Sequence, residues 1–319
     1  MKFTQLDAET FLYVYKDKEN LCFLVVYVDN LLLAATLRAF MNKIKGLLSS
    51  TFKMQDLGAV TFILGIHIKR DRKRHMIALL QHQYIDTILE HFGMKDCKPV
   101  FTPIDTMVQP STEDPIDNTT IRTMKVGDRE VSYQCIIGSL MWVMLATRPD
   151  LEYTVGVIGR YSANPKACHW SLAKCALHYL KGTQSLELMF NRSDVNIDMD
   201  FHRYSDTNWG GDQDTSHSTS GYVFISNHAA IRWSSKLQTM VSLSSTESEY
   251  VGLSNAGQHV TWLCMFFDKI GHKQRKAMEL KCDNQAAIIL SHDSQFRAQS
   301  IYDRSTTMSG MTWWQKVNV

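Results

Sequence analysis

Residues 201–235 read FHRYSDTNWGGDQDTSHSTSGYVFISNHAAIRWSS, and this stretch decides the fold class. Three runs within it, FHRYSD (201–206), SGYVFIS (220–226) and AIRWSS (230–235), are short, aromatic or β-branched. Gly, Asn, Asp and Ser separate them, which predicts strands joined by turns. LELMF (186–190) precedes them as a fourth strand, and a long helix follows from Thr246 to about Ile270. Ser244 and Glu247 offer a capping box at the start of that helix. Tyr250, Leu253, Gly257, Val260, Cys264, Phe267 and Ile270 then recur at helical spacing as one buried stripe. MELKC (278–282) predicts another strand, leading into a short helix, QAAIILS. The order ββββ–α–β–α predicts an α+β or mixed α/β layout rather than a doubly wound sheet. No internal repeat is visible.

The segment upstream reads as helices. Residues 132–147 and 151–182 carry helical patterns, and TRPD (147–150) breaks them because Pro149 disfavours α geometry at Arg148. Asn164-Pro165 divides the second stretch, and Gly182 is a plausible C-cap. Before these, residues 102–130 hold Pro103, Pro110 and Pro115 with little periodicity, the composition of a linker. Further back, TFILGIHI (61–68) and MIALL (76–80) predict a strand pair. Their exposed tip is KRDRKR, a solvated turn on the simplest reading and a phosphate contact on the other. A helical pattern (Phe40, Ile44, Leu47, Leu48) comes before it. Nearest the start, LCFLVVYV (21–28) and LLLAA (31–35) predict a buried hairpin with Asp29-Asn30 at its turn.

Composition excludes several classes. The chain has 319 residues, enough for two or three domains, with 45% hydrophobic and 21% charged residues, as in a folded protein. Lys plus Arg is 34 against 32 Asp plus Glu, split 23 to 22 over residues 1–200 and 11 to 10 over 201–319. No net field or basic tail would hold it on DNA or a membrane nonspecifically. The seven cysteines form no CxxC pair and no cluster at finger spacing, so neither a zinc ribbon nor a disulfide scaffold is expected. The first residues lack the pattern of a signal peptide. Asp29 and Asn30 interrupt the most apolar run, leaving each half far short of the roughly 20 residues that span a bilayer. The expectation is an intracellular protein, cytoplasmic or nuclear, that is not secreted and has no membrane partner.

Three acids form a candidate set. Asp206 ends an aromatic strand, Asp283 ends MELKCD, and Glu249 lies in the first turns of the long helix, beside its buried stripe. Acids at strand ends are most often turn or cap residues. If these three converge, like charges require a cation, Mg²⁺ or Mn²⁺. Two such ions, about 3.5–4 Å apart, activate a water and stabilise the leaving oxygen of a phosphodiester. Asp29 is likewise a turn former on the simplest reading and a metal-binding carboxylate on the other. Trp142, Trp170, Trp209, Trp233 and Trp262 have the faces to stack on bases, although packing explains each more simply.

Ordered motifs carry a resemblance over nearly the whole chain. VVYVDN (25–30) resembles the Tyr-Val-Asp-Asp signature of reverse transcriptases. FKMQDLG (52–58), FILGIHI (62–68), FGMKDCKPVFTP (92–103), GSLMW (138–142), TRPDL (147–151), HW (169–170) and YLKGT (179–183) follow. YSDTNWGGD (204–212), STSGYVF (218–224), WSSKLQ (233–238), LSSTESEY (243–250) and CDNQAA (282–287) complete the series. Together they resemble the C-terminal part of the Pol polyprotein of copia-type LTR retrotransposons.

The resemblance implies the end of a reverse-transcriptase palm over 1–104 and a linker with helical thumb or connection over 105–197. It implies a ribonuclease H-like mixed sheet with helices over 198–319. It places Asp206, Glu249 and Asp283 on the family's first three ribonuclease H carboxylates, metal ligands for Mg²⁺ (or Mn²⁺). Glu249 is preferred to Glu247 because Glu-Tyr matches the helix pattern of that fold. Asp303, in QSIYDRSTTMSG, is a loose fit to the fourth. Tyr27, Val28, Asp29 and Asn30 are the remnant of the polymerase signature, with Asn30 where the family has its second Asp. The family's fingers and other polymerase Asp would lie upstream of Met1, so no DNA synthesis by this chain is expected. Two functions are compatible with these residues: hydrolysis of RNA in an RNA–DNA hybrid, or a catalytically inert remnant that at most binds nucleic acid.

Overall fold

Alternating burial along ETFLYVYK and LCFLVVY, with Leu12, Val14, Cys22 and Leu24 inward, marks strands that each present two covered faces. A computed structural model of the chain describes all residues except 1, 2, 7, 8, 106, 109, 114–117, 192–200, 273–277, 293–316 and 319. It is mixed α/β, and it divides into two compact units, Met1–Thr61 with Thr261–Arg275 and Phe62–Val260 with Lys276–Val319.

In the first unit, β1 (Thr4–Leu6), β2 (Glu9–Lys16), β3 (Leu21–Tyr27) and β4 (Asn30–Ala35) form an antiparallel sheet in that order. The helix α1 (Arg38–Thr51) buries Phe40 and Ile44 against Cys22, Tyr15 and Leu33. Leu6, Leu12 and Val14 pack with Phe266 and Ile270 instead. The β3–β4 turn is Val28-Asp29, one residue earlier than expected, because Asn30 already pairs with Tyr27. Val28 takes the positive φ (49°). The hairpin is also less enclosed than its apolar run predicts, and only Cys22 and Leu24 of β3 are fully buried.

In the second unit, β5 (Phe62–Ile63), β6 (Ile66–Asp71) and β7 (Met76–Leu80) are antiparallel. TFILGIHI is therefore not one strand. Leu64 and Gly65 both take positive φ (52° and 77°) and close a two-residue hairpin, a turn hidden inside an apolar run. The basic tip is organised by its acid, since Asp71 Oδ1 accepts from the Lys73 and Arg74 backbone N–H groups.

Next come α2 (His82–His91) and a hairpin of β8 (Thr123–Val126) and β9 (Arg129–Ser132), which begins within the expected linker and runs past its end. That segment is also tied down, with Trp170 Nε1 donating to Ile121 O and Tyr161 Oη to Pro110 O. Then follow α3 (Tyr133–Ala146), a 3₁₀ turn (Pro149–Leu151), α4 (Glu152–Gly159) and α5 (Ala167–Gly182). The Ser132 hydroxyl caps α3 by accepting from Cys135 N–H. Ile85, Leu89, Ile136, Leu140, Ile158 and Leu177 are central to the core of this helical region. The strand β10 (Leu188–Asn191) pairs with β7, so the sheet order is β10-β7-β6-β5 and the expected fourth strand of the later sheet belongs here.

The last sheet is the meander β11 (Phe201–Asn208), β12 (Thr219–Ser226) and β13 (Ala229–Leu237). The long helix α6 (Ser245–Lys269) follows, then β14 (Met278–Glu279), α7 (Gln285–His292) and β15 (Val317–Asn318), parallel to β14. Lys281 bridges Tyr204 in parallel, with Ser205 N–H donating to Lys281 O and Lys281 N–H to Arg203 O. The far edge of the meander, β11, thus gains a parallel neighbour from the strand after α6. Among the described residues, no helix is long and apolar enough to cross a membrane.

Candidate metal site

Strand register brings the first two acids to one end of the sheet. The bridge pairs Tyr204 with Lys281, and two residues further along each parallel segment stand Asp206 and Asp283. Neither is covered: both carboxylates are exposed.

The third acid comes from α6, whose start is set by local chemistry. Ser244 Oγ accepts from Glu247 N–H, while Glu247 Oε2 accepts from Leu243 N–H, a capping box displaced by one residue at its return bond. Glu247 is thereby committed to the cap, and Glu249 is buried, 6% exposed. A glycine lets the helix sit close to β11. A Cβ at Gly252 would lie 2.5 Å from Thr207 Oγ1 and 3.5 Å from the Ser205 and Ser220 hydroxyls. Buried polar bonds lock the same turn: Gln238 Nε2 donates to Ser248 O and to Ser220 Oγ, and Gln238 Oε1 accepts from Ser242 Oγ.

Glu249 meets Cys282 and Asp283 there. One ligand atom from each of the three lies within 4.8 Å of the others, and the Cys282 thiol donates to Glu249 Oε2 at 3.8 Å. Burial, then the charges of Asp206 and Asp283, push the Glu249 carboxyl above the ordinary range, against the pull of Thr207 N–H and the Cys282 thiol. Burial likewise raises the Cys282 thiol. Such a set can hold a divalent cation, which would relieve the repulsion that lifts Glu249. Asp206 also lines a groove of about 270 Å³ with Tyr204, Tyr222 and Trp233 from the sheet and Glu152 and Tyr153 from α4. Burial raises the Glu152 carboxyl there, opposed by the Ser235 N–H that donates to it.

Other residues singled out by sequence fall elsewhere. Asp303 lies outside the described residues. Tyr27, Val28, Asp29 and Asn30 belong to the first unit, at an exposed hairpin end with Val28 81% exposed. Of the tryptophans, Trp170 is buried in the helical core and Trp209 is 53% exposed, its Nε1 donating to Ser242 O. Cys282 is a site residue that the carboxylate pattern missed, although it adjoins Asp283 in sequence. TRPD does more than break a helix. Arg148, 2% exposed, donates from Nε and Nη2 to Asp150 and from Nη1 and Nη2 to Thr183, clasping the 3₁₀ turn to the end of α5. Burial opposes the Asp150 charge, but the Arg148 bonds outweigh it and hold that carboxyl below its usual range.

Comparison with known proteins places these features in context. Residues 1–106 match a family described as reverse transcriptase (RNA-dependent DNA polymerase). The chain is 37% identical over 310 residues to the retrovirus-related Pol polyprotein from transposon TNT 1-94 of Nicotiana tabacum, covering 94% of this chain and 23% of that protein. A putative transposon Ty5-1 protein of Saccharomyces cerevisiae is 31% identical over 253 residues, covering 79% of this chain and 78% of the relative. An uncharacterized mitochondrial protein of Arabidopsis thaliana is 34% identical over 240 residues, 75% of this chain and 93% of its own length. The chain spans about a fifth of the Pol polyproteins it matches. No solved structure matches it.

Proposed function

The chain belongs to the Pol family of copia-type retrotransposons, with reverse-transcriptase sequence over its first third, and from that membership we propose that residues 198–319 act as a ribonuclease H. The reaction is hydrolysis of the RNA strand of an RNA–DNA hybrid. The observation that supports this reading is the buried Glu249 carboxyl, in contact with Cys282 and raised by burial and then by the charges of Asp206 and Asp283. A buried carboxylate beside two exposed ones suits a hard divalent cation, and Asp206, Glu249 and Asp283 would hold Mg²⁺ or Mn²⁺. When bound, the ions neutralise the acids and supply an activated water together with stabilisation of the leaving oxygen.

The protein's own residues prepare that chemistry. Gly252 and the Gln238 bonds fix the turn carrying Glu249 against β11. Exposed Asp206 and Asp283 leave the site open to a phosphodiester, and the groove beside Asp206 offers the rings of Tyr204 and Tyr153 to a nucleotide. The hybrid is read by its shape and 2′-hydroxyls rather than its sequence. The basic tip Arg72, Lys73 and Arg74 contributes phosphate contacts, so binding weakens steeply as salt rises. On this reading 1–104 is part of a palm and 105–197 a thumb or connection.

The polymerase part is proposed to be inactive, because its signature offers one carboxylate, Asp29, and an uncharged Asn30. Both statements are tested on one sample of folded chain with Mg²⁺. Cleavage of RNA in a hybrid, abolished by chelation, and no extension of a primed template are expected. A folded chain that cuts no hybrid at any Mg²⁺ or Mn²⁺ concentration would overturn the ribonuclease reading, and primer extension would overturn the polymerase one.

A further inference from the structure

The candidate site also holds a donor that is not a carboxylate, the Cys282 thiol. Glu249, Cys282 and Asp283 each offer one ligand atom, all within 4.8 Å of one another, and Cys282 Sγ stands 3.8 Å from Glu249 Oε2. In a tetrahedral Zn²⁺ site, a sulfur about 2.3 Å and an oxygen about 2.1 Å from the metal stand about 3.6 Å apart. The thiol and the helix carboxylate, at 3.8 Å, already stand near that separation. The widest pair of the set needs to close by about an ångström, a movement within the reach of Asp283 because its side chain is exposed.

Chemistry distinguishes this set from a purely acidic one. Mg²⁺ demands oxygen ligands in near-ideal octahedral geometry, whereas thiolate sulfur selects softer ions such as Zn²⁺ and tolerates a tetrahedral set with one position left to water. Glu249 is buried, Cys282 half-buried and Asp283 exposed, so the three donors line a path from solvent to the helix. We infer that Glu249, Cys282 and Asp283 form a mixed oxygen–sulfur site for a soft divalent cation, Zn²⁺ in particular, which competes with the Mg²⁺ of the proposed hydrolysis. The competition rests on the ribonuclease reading of the site; the binding does not. On ligation the S–H bond breaks, the sulfur electron pair forms the bond to the metal, and the proton leaves to solvent without any change of oxidation state. Zn²⁺ would thus be an inhibitor of this chain at a residue that contributes no charge to Mg²⁺ binding.

The test is titration of the metal-free full chain with Co²⁺, a spectroscopic stand-in for Zn²⁺, following the thiolate-to-cobalt charge-transfer band in the near ultraviolet. The wild type is expected to show the band, and Cys282→Ser to lose it. Glu249→Gln is expected to weaken Co²⁺ binding at least about tenfold, the lower end of what even an outer partner of a metal ligand is worth. Cys135→Ser serves as a control, because Cys135 is exposed and lies 4.0 Å from His91 Nε2; its band should remain. No band in the wild type, or an unaltered band in Cys282→Ser, overturns the inference. A measurement on unmodified protein covers the event that the variants misfold: Zn²⁺ should protect Cys282 from alkylation by iodoacetamide, mapped by mass spectrometry, and absence of protection also overturns it. Hybrid cleavage in Mg²⁺, run on the same samples, separates the two claims. Cleavage without a cobalt band leaves the ribonuclease standing and removes the zinc site, while a band without cleavage does the reverse.

Discussion

At the scale of single residues, Glu249 carries a cost that the metal-free protein bears. Its folded-state carboxyl is raised by burial and by the Asp206 and Asp283 charges, above its value in the unfolded chain. The sign follows directly: the stabilisation is present below the unfolded value, where both states hold the proton, and is lost as pH rises through the raised folded value. Glu249→Gln should therefore unfold at a higher temperature than wild type at neutral pH without metal, and the difference should vanish in mild acid. Thermal scans at the two pH values check this, and a destabilised variant at neutral pH would contradict it. The acids stood out in sequence through the family resemblance more than through position, since Asp206 lies inside β11 and Asp283 four residues after β14. Cys282 did not, since its meeting with Glu249 depends on the depth of α6 against β11, which no local pattern encodes.

At the scale of elements, two contacts fix how neighbouring segments pack, one beside the site and one in the helical region. The close approach of α6 to β11 at Gly252 leaves no room for a side chain, with a Cβ only 2.5 Å from Thr207 Oγ1. Gly252→Val should cost about 1–3 kcal/mol through overpacking. It should also weaken divalent-metal binding, because Glu249 lies one turn earlier on the same face; a variant that binds metal like wild type would show that the approach is unimportant. In the helical region, Arg148→Ala leaves Asp150 without its buried partner. The expected loss is about 3 kcal/mol, at the low end for a broken buried pair because the Asp150 side chain keeps 33% of its exposure; denaturant unfolding reads it. Element boundaries followed the sequence wherever a cap or breaker was explicit, as at Ser244 with Glu247 and at Arg148-Pro149. They departed where turn chemistry was hidden in apolar sequence, at Leu64-Gly65 and Val28-Asp29. The pairing of β10 with β7 joins strands more than a hundred residues apart, a choice made by tertiary packing.

At the scale of the molecule, the chain combines reverse-transcriptase sequence near its start with the Glu249–Cys282–Asp283 group in its last third, in two compact units. Its balanced charge means that nucleic acid would be gripped by local features, the basic tip and the groove beside Asp206, rather than by a global field. On the ribonuclease proposal, three particular acids, and not acidity in general, would carry the metal-dependent cleavage. The most direct measurement is the rate of RNA cleavage in an RNA–DNA hybrid with Mg²⁺ for four folded variants against wild type. Asp206→Asn, Glu249→Gln and Asp283→Asn should each abolish cleavage, while Glu247→Gln, which alters only the helix cap, should retain it. Wild-type rates in any of the first three, or loss of activity in folded Glu247→Gln alone, would contradict the account.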